Sequence, residues 1–187
     1  MAAEFEVNDA RNPEETLDAV VALKSQYCKR LDAQHWDSWA DLFTDDAVMQ
    51  IGPNPDSAVH GRRAIRRLLA TQLRGAKTSH QAHHPEIHEE APGRVRVIWE
   101  MTDRVSTPSY LLEGAGFYED RYVRIGQGWK IASVRLHRRK VDLQPKSLLM
   151  RAIVRMHRNG WLRRLSKSSD RTLGEALYVG LAEGERP

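Results

Sequence analysis

Apolar residues in the first third of the chain return every three or four positions. Val20, Leu23, Tyr27 and Leu31 fall on one face of a helix at that spacing. Pro13-Glu14-Glu15-Thr16 opens it, because proline and acidic side chains suit a first helical turn. Residues 1–13 read as an arm. Residues 37–43 form a second, short helix with Asp37 as a possible cap. Residues 48–51 are a short strand ended by Gly52-Pro53-Asn54-Pro55. A third helix starts over residues 61–69, with its arginines on the wet face.

The period then drops to two. Strands are expected near 79–89, 94–106, 112–125 and 129–139, with turns at Pro92-Gly93 and Gly126-Gln127-Gly128. Val95, Val97, Trp99, Met101 and Asp103 share one face by alternation, as do Ala132, Val134, Leu136 and Arg138. Helices followed by successive strands give an α+β class, in which N-terminal helices pack on a curved mixed or antiparallel sheet spanning residues 14–141. After Pro145 the helical period returns. Leu148, Leu149, Ala152, Ile153 and Met156 fall on one side, arginines on the other, and residues 173–179 suggest one more short helix. Residues 142–187 thus read as a basic amphipathic tail. Wrapping its own domain, covering a pocket and joining subunits all fit that pattern.

Composition narrows the class. The 187 residues are 41% hydrophobic and 29% charged, enough for one soluble domain with a core. No apolar run approaches the roughly 20 residues of a membrane span. The acidic start, Met1-Ala2-Ala3-Glu4-Phe5-Glu6, has no secretory pattern. The one cysteine, Cys28, excludes an internal disulfide and fits a reducing cytoplasm, where packing explains it better than nucleophilic chemistry. The net charge of +4 hides an asymmetry. Between Arg138 and Arg171 eleven basic residues meet two acidic ones, which leaves the rest of the chain at −5. Contact with nucleic acid or anionic membrane is one reading of that excess, and helix packing through the interleaved apolar residues is the other. No nucleic-acid partner is expected.

The candidate chemistry centres on His80 and Asp32. A neutral imidazole backed by a carboxylate removes protons from carbon or water near neutral pH. Asp32 also suits a plain helix end, and His80 a surface strand beside His83, His84 and His88; by alternation His83 faces away from His80. Tyr27 and Asp32 lie five residues apart, about 140° around a helix, so they would flank one cavity from two edges. Asp103 and Arg138 each sit on an apolar face, where each needs a partner the other could supply, or else both lie at strand ends in water. The histidines lack compact metal-ligand spacing, and no metal site is expected. No Gly-rich phosphate loop, Gly-x-Ser-x-Gly elbow or paired-cysteine site is present.

Several pieces occur in a telling order: Leu-Lys-x2-Tyr-x4-Asp-x3-Trp-Asp over residues 23–37, His-x5-Glu-Ile over 80–87 and Trp-x3-Asp over 99–103. Gly-Phe-Tyr-x-Asp-x-Tyr over 116–122, Trp129 and Arg138 complete them. Between about Ala19 and Arg139 the chain resembles the SnoaL-like branch of the nuclear transport factor 2 superfamily, closest to bile-acid 7α-dehydratases. Scytalone dehydratase and the hexachlorocyclohexane dehydrochlorinase share its cone and Asp–His pairing. The resemblance implies working residues at Tyr27, Asp32, His80, Asp103 and Arg138. It implies a cofactor-independent lyase acting on a polycyclic or steroid-like hydroxy-carbonyl compound. Trp36, Trp99, Met101 and Phe117 would line an apolar cavity for it or, as the default for such residues, pack in the core, and similar proteins are often trimers. Isomerisation, polyketide cyclisation, epoxide hydrolysis and a non-catalytic binding or assembly role use the same cone. The tail beyond Pro145 lies outside the resemblance.

Overall fold

A six-stranded sheet holds the molecule together, in the order β2-β1-β6-β5-β4-β3. A computed structural model describes residues 13–52 and 54–158. The expected 1–13 arm, except Pro13, and the helix over 173–179 lie outside the described residues. In chain order the elements are α1 (Pro13–Asp32), α2 (Trp36–Ala40), β1 (Phe43–Ile51), a 3-10 turn (Pro55–Ser57), β2 (Val59–His60) and α3 (Arg62–Gln72). The long strands β3 (Lys77–Ala91), β4 (Arg94–Ser106), β5 (Tyr110–Ile125) and β6 (Gly128–Pro145) follow, and α4 (Leu148–Arg158) comes last. β1 runs parallel to β6 and every other pairing is antiparallel, so the sheet is mixed. The class is α+β, with the N-terminal helices on one face of a curved sheet.

Several boundaries differ from those read in the sequence, and the last strand runs on to Pro145, past 139 and into the residues expected to open the tail, because it stays paired with β5 as far as Tyr110. The second helix starts at Trp36 and its preceding residue, His35, makes no side-chain cap. Asp37 is therefore inside the first turn, and its carboxylate pairs with Arg66 at 2.8 Å instead of capping. Strand β1 begins at Phe43, because Phe43 pairs with Ile131 across the sheet; that tertiary contact outweighs the helical spacing of residues 37–43.

Bulges decide which side chains point inward. On β4 the alternation holds: Val95, Val97, Trp99, Met101 and Asp103 are all buried. On β6 it breaks at Ala132, since Tyr122 pairs with Ile131 while Arg121 pairs with Ser133. One extra residue shifts the strand's parity. Ile131, not Ala132, therefore joins Val134 and Leu136 in the core. A second shift, between Ala115–Lys140 and Gly116–Arg138, makes Arg139 the extra residue, over the outer-face Phe117 ring at 4.2 Å, so that Val141 and Leu143 follow Arg138 on the inner side. On β3 a shift between His83 and Glu86, with a positive φ of 47° at His84, removes His84 from the line of His80. Its imidazole instead meets Glu100 on the outside at 3.0 Å.

The core lies between α1, α2, α3 and the inner face, around Trp39, Phe43, Met49, Ile65, Trp99 and Tyr122. It contains a buried ion pair, Lys24 Nζ to Asp120 Oδ2 at 2.8 Å. Tyr122 donates to the same oxygen at 2.7 Å, and the ammonium lies 3.6 Å from the Tyr118 ring centroid.

Candidate active site

Asp32 is the last residue of α1, and β3 is the sheet's edge strand. Backbone N–H groups on the free side of an edge have no ladder partner, and Asp32 supplies one. Its Oδ2 accepts the His80 backbone N–H at 2.9 Å. Its Oδ1 accepts the Thr78 hydroxyl at 2.8 Å and meets His80 Nδ1 at 2.6 Å. The His80 side chain is 7% exposed and that of Asp32 26%. Burial by itself would raise the Asp32 carboxyl. The hydrogen bonds from His80 and Thr78, with the charge of the imidazole, instead hold it below the ordinary carboxylate value. The ring is held in a fixed orientation by a carboxylate that stays ionised, which leaves Nε2 as its free nitrogen.

The second polar group assembles across the sheet. His80 pairs with Asp103 in the β3–β4 register, and Asp103 pairs with Gly114 in the β4–β5 register. His80, Asp103 and Gly114 therefore form one inward-facing row. Arg138, from β6, donates through Nε to Asp103 Oδ2 at 3.1 Å, and its Nη2 bonds the same oxygen. The two side chains meet over Gly114. A Cβ there would lie 2.1 Å from Asp103 Oδ1 and 3.1 Å from Arg138 Nε. The Asp103 side chain is 0% exposed and that of Arg138 13%, so the carboxylate is enclosed while the guanidinium keeps an open side.

Tyr27 is buried, with its ring 5.5 Å from Trp39 and 6.1 Å from Tyr118. Burial pushes its hydroxyl well above the usual phenol value; Asp120, Cys28 and Asp32 add to this, and Arg138 opposes it. Tyr27 is thus a neutral donor within electrostatic reach of both Asp32 and Arg138. The roughly 140° between them on α1 sends Tyr27 into the core beside Trp39, Phe43 and Tyr118 while Asp32 faces β3.

The structure places the four expected lining residues differently from one another. Trp99 and Met101 face inward and are packed in the core. Trp36 is half-buried against the core, 6.3 Å from Trp39. Phe117 pairs with Glu100 and His137 and lies on the outer face; its neighbour Tyr118 is the inward aromatic. A groove of about 690 Å³ runs along that outer face past His83, Glu100, Phe117 and His137, with the sheet between it and His80. On the inner face, the half-buried apolar residues Leu112, Val141 and Leu143 continue the row's side of the sheet toward its end. Tyr110, whose hydroxyl burial pushes up and Arg138 pulls back, lies at that end too.

Sequence reasoning missed Thr78, Gly114, Lys24 and Asp120. Lys24 lies on the stripe of Val20 and Tyr27, and Asp120 alternates with Tyr118 and Tyr122. A charge on an apolar face is the signal that marked Asp103 and Arg138, and it was present for this pair as well.

A mixed sheet curved over a long N-terminal helix, with a histidine–carboxylate pair on its concave face, defines the cone class of the nuclear transport factor 2 superfamily. Residues 15–135 match the SnoaL-like domain. The chain belongs to that family. A protein of Gibberella zeae named probable cyclase FGR4 is 23% identical over 129 residues, covering 62% of this chain and 85% of that protein. A protein of Novosphingobium aromaticivorans named for scytalone dehydratase superposes with a TM-score of 0.60 at 21% identity, over 69% of this chain and 87% of its own. A type 2 hexachlorocyclohexane dehydrochlorinase superposes with a TM-score of 0.61 at 16% identity, over 72% and 91%. At these identities the structural likenesses carry the fold alone.

Proposed function

We propose that this protein is a cofactor-independent lyase, a dehydratase or related proton-transfer enzyme, acting on an apolar, polycyclic hydroxy-carbonyl compound of steroid-like size. The observation that carries this reading is the 2.6 Å contact of His80 Nδ1 with Asp32 Oδ1, made by a nearly buried ring. With Nδ1–H donated to the carboxylate, Nε2 takes the proton from the carbon next to the substrate carbonyl. The electron pair moves to the carbonyl oxygen, where the Arg138 guanidinium, oriented by Asp103, stabilises the developing enolate. Collapse of the enolate expels the β-hydroxyl, which leaves as water after taking a proton from the imidazolium or from Tyr27. If Tyr27 donates, the imidazolium's proton then restores the phenol. The enzyme ends in its starting state.

The resemblance to a protein named as a cyclase supports a second reading. There the same base removes the proton, and the enolate carbon attacks a second carbonyl within the substrate, closing a ring. Self-association, a trimer by analogy with similar proteins, fits the outer face around Ile98 and Phe117.

The test is His80→Ala, assayed on a panel of polycyclic β-hydroxy ketones. Loss of about 10²–10⁴ in turnover with an unchanged circular dichroism spectrum is expected. Turnover equal to wild type would remove the base and the lyase with it. Exchange of the substrate α-proton with D2O, measured by NMR without elimination, separates the roles: His80→Ala should lose the exchange, whereas a substrate with no leaving group should keep it on the wild-type enzyme.

A further inference from the structure

α4 is anchored at its base and open along its side. Lys146 donates from Nζ to Ser106 Oγ at 2.8 Å and to the Thr107 carbonyl at 3.2 Å. The backbone N–H groups of Lys146 and Ser147 donate to the Ser109 carbonyl. Beyond this attachment, Leu148 is 82% exposed and Leu149 73%, and Ala152, one turn on from Leu148, is exposed too. Arg151 and Arg155 are exposed on one side of the Leu148–Ala152 line, about 60° away at roughly 100° per residue, and Leu149 lies about 100° round on its other side. The solvent-facing part of α4 is thus apolar beside a cationic line, and among the described residues nothing packs over Leu148 and Leu149.

We propose that α4 docks on an anionic lipid surface, with Leu148 and Leu149 entering the acyl boundary and Arg151 and Arg155 meeting lipid phosphates. A second copy docking through α4 would bring two such helices together, and their exposed charges, Arg151 and Arg155, are all cationic, which like-charge repulsion opposes. Nucleic acid would accept the arginines but offers the leucines nothing apolar. A bilayer interface with anionic headgroups satisfies both lines at once, since long arginine side chains extend to phosphates while apolar neighbours insert. In the sequence, residues 161–171 carry Arg163, Arg164, Lys167 and Arg171 against Asp170 alone, interleaved with Trp161, Leu162 and Leu165, a composition that favours anionic leaflets. The register gives the contact an orientation. His80 lies three residues from the start of β3, Asp103 three from the end of β4 and Gly114 four from the start of β5. α4 leaves the sheet at that same end, about 10–13 Å beyond the polar row at the rise of a strand. The proposed docking surface therefore lies beside the end of the cone that carries the candidate site.

The experiment is co-sedimentation of the full chain with vesicles of phosphatidylcholine alone and of phosphatidylcholine mixed with phosphatidylglycerol. Binding to the mixed vesicles alone, weakening as salt rises, is expected. Leu148→Ser with Leu149→Ser should weaken it by about tenfold or more, and Arg151→Gln with Arg155→Gln by a similar factor. All four positions are exposed, and a circular dichroism spectrum equal to wild type verifies the fold of each variant. No sedimentation at low salt, equal binding to both vesicle types, or leucine variants that bind like wild type would each overturn the proposal. So would a self-association, seen by light scattering, that the leucine pair abolishes, or duplex DNA binding that persists when the leucines are replaced while vesicle binding is absent.

Discussion

Asp32 joins three donors on one strand: the Thr78 hydroxyl, the His80 backbone N–H and the His80 ring. Replacing it with asparagine keeps the shape but removes the charge that stabilises an imidazolium. Asp32→Asn is therefore expected to lower turnover by about 10²–10⁴ while leaving substrate affinity nearly unchanged, a split that steady-state kinetics would show. Gly114 works through space instead of contact. A methyl there collides with the Asp103 carboxylate, so Gly114→Ala should displace the Arg138 guanidinium and cost about 100-fold in kcat, with a smaller effect on unfolding; kinetics and urea titration of the same sample distinguish the two. Burial pushes the Cys28 thiol up to about 11, although Lys24 opposes the rise. Native protein at pH 8 should thus react with a thiol reagent far more slowly than urea-unfolded protein.

At the scale of elements, α1 is clamped to the sheet at two places, by Asp32 to β3 and by Lys24 to β5. The second clamp is a fully buried ion pair, and breaking such a pair leaves a charge without a partner. Lys24→Met is expected to destabilise the fold by about 3–5 kcal/mol. The double change Lys24→Met with Asp120→Leu should recover a good part of that, because two apolar side chains need no compensation; urea unfolding of the three proteins measures the difference. The bulges of β6 act at this scale as well. The one at Ala132 brings Ile131 into the core, and the one at Arg139 turns Val141 and Leu143, in place of Lys140 and Asp142, to the inner side. A strand without them would have moved every inward side chain by one position. Phe117 and Tyr118 show how much rests on this, since adjacent aromatics in one strand end on opposite faces and only pairing with Trp99 marks Tyr118 as the inner one.

For the molecule as a whole, the Asp32 carboxyl gives acid stability a definite sign. Its folded value lies below the unfolded value of about 3.9. The stabilisation it brings is complete above that value and is lost as pH falls through the folded one. Wild type should therefore exceed Asp32→Asn in stability at neutral pH, with the gap closing as the solution is acidified below about pH 4; urea unfolding at a series of pH values checks this. The chain's own periodicities determined the α+β class, the order of the elements, the buried stripe of α1 and the inward face of β4, because these follow from spacing along a single segment. The same alternation marked Asp103 and Arg138 as charges needing partners. Only tertiary structure decided that they partner each other, that Gly114 lies beneath them, that Lys24 finds Asp120, and that Asp32 closes the edge of β3. Each of those depends on strand register, bulges and the pairing of residues 35 to 96 positions apart, which local sequence does not encode.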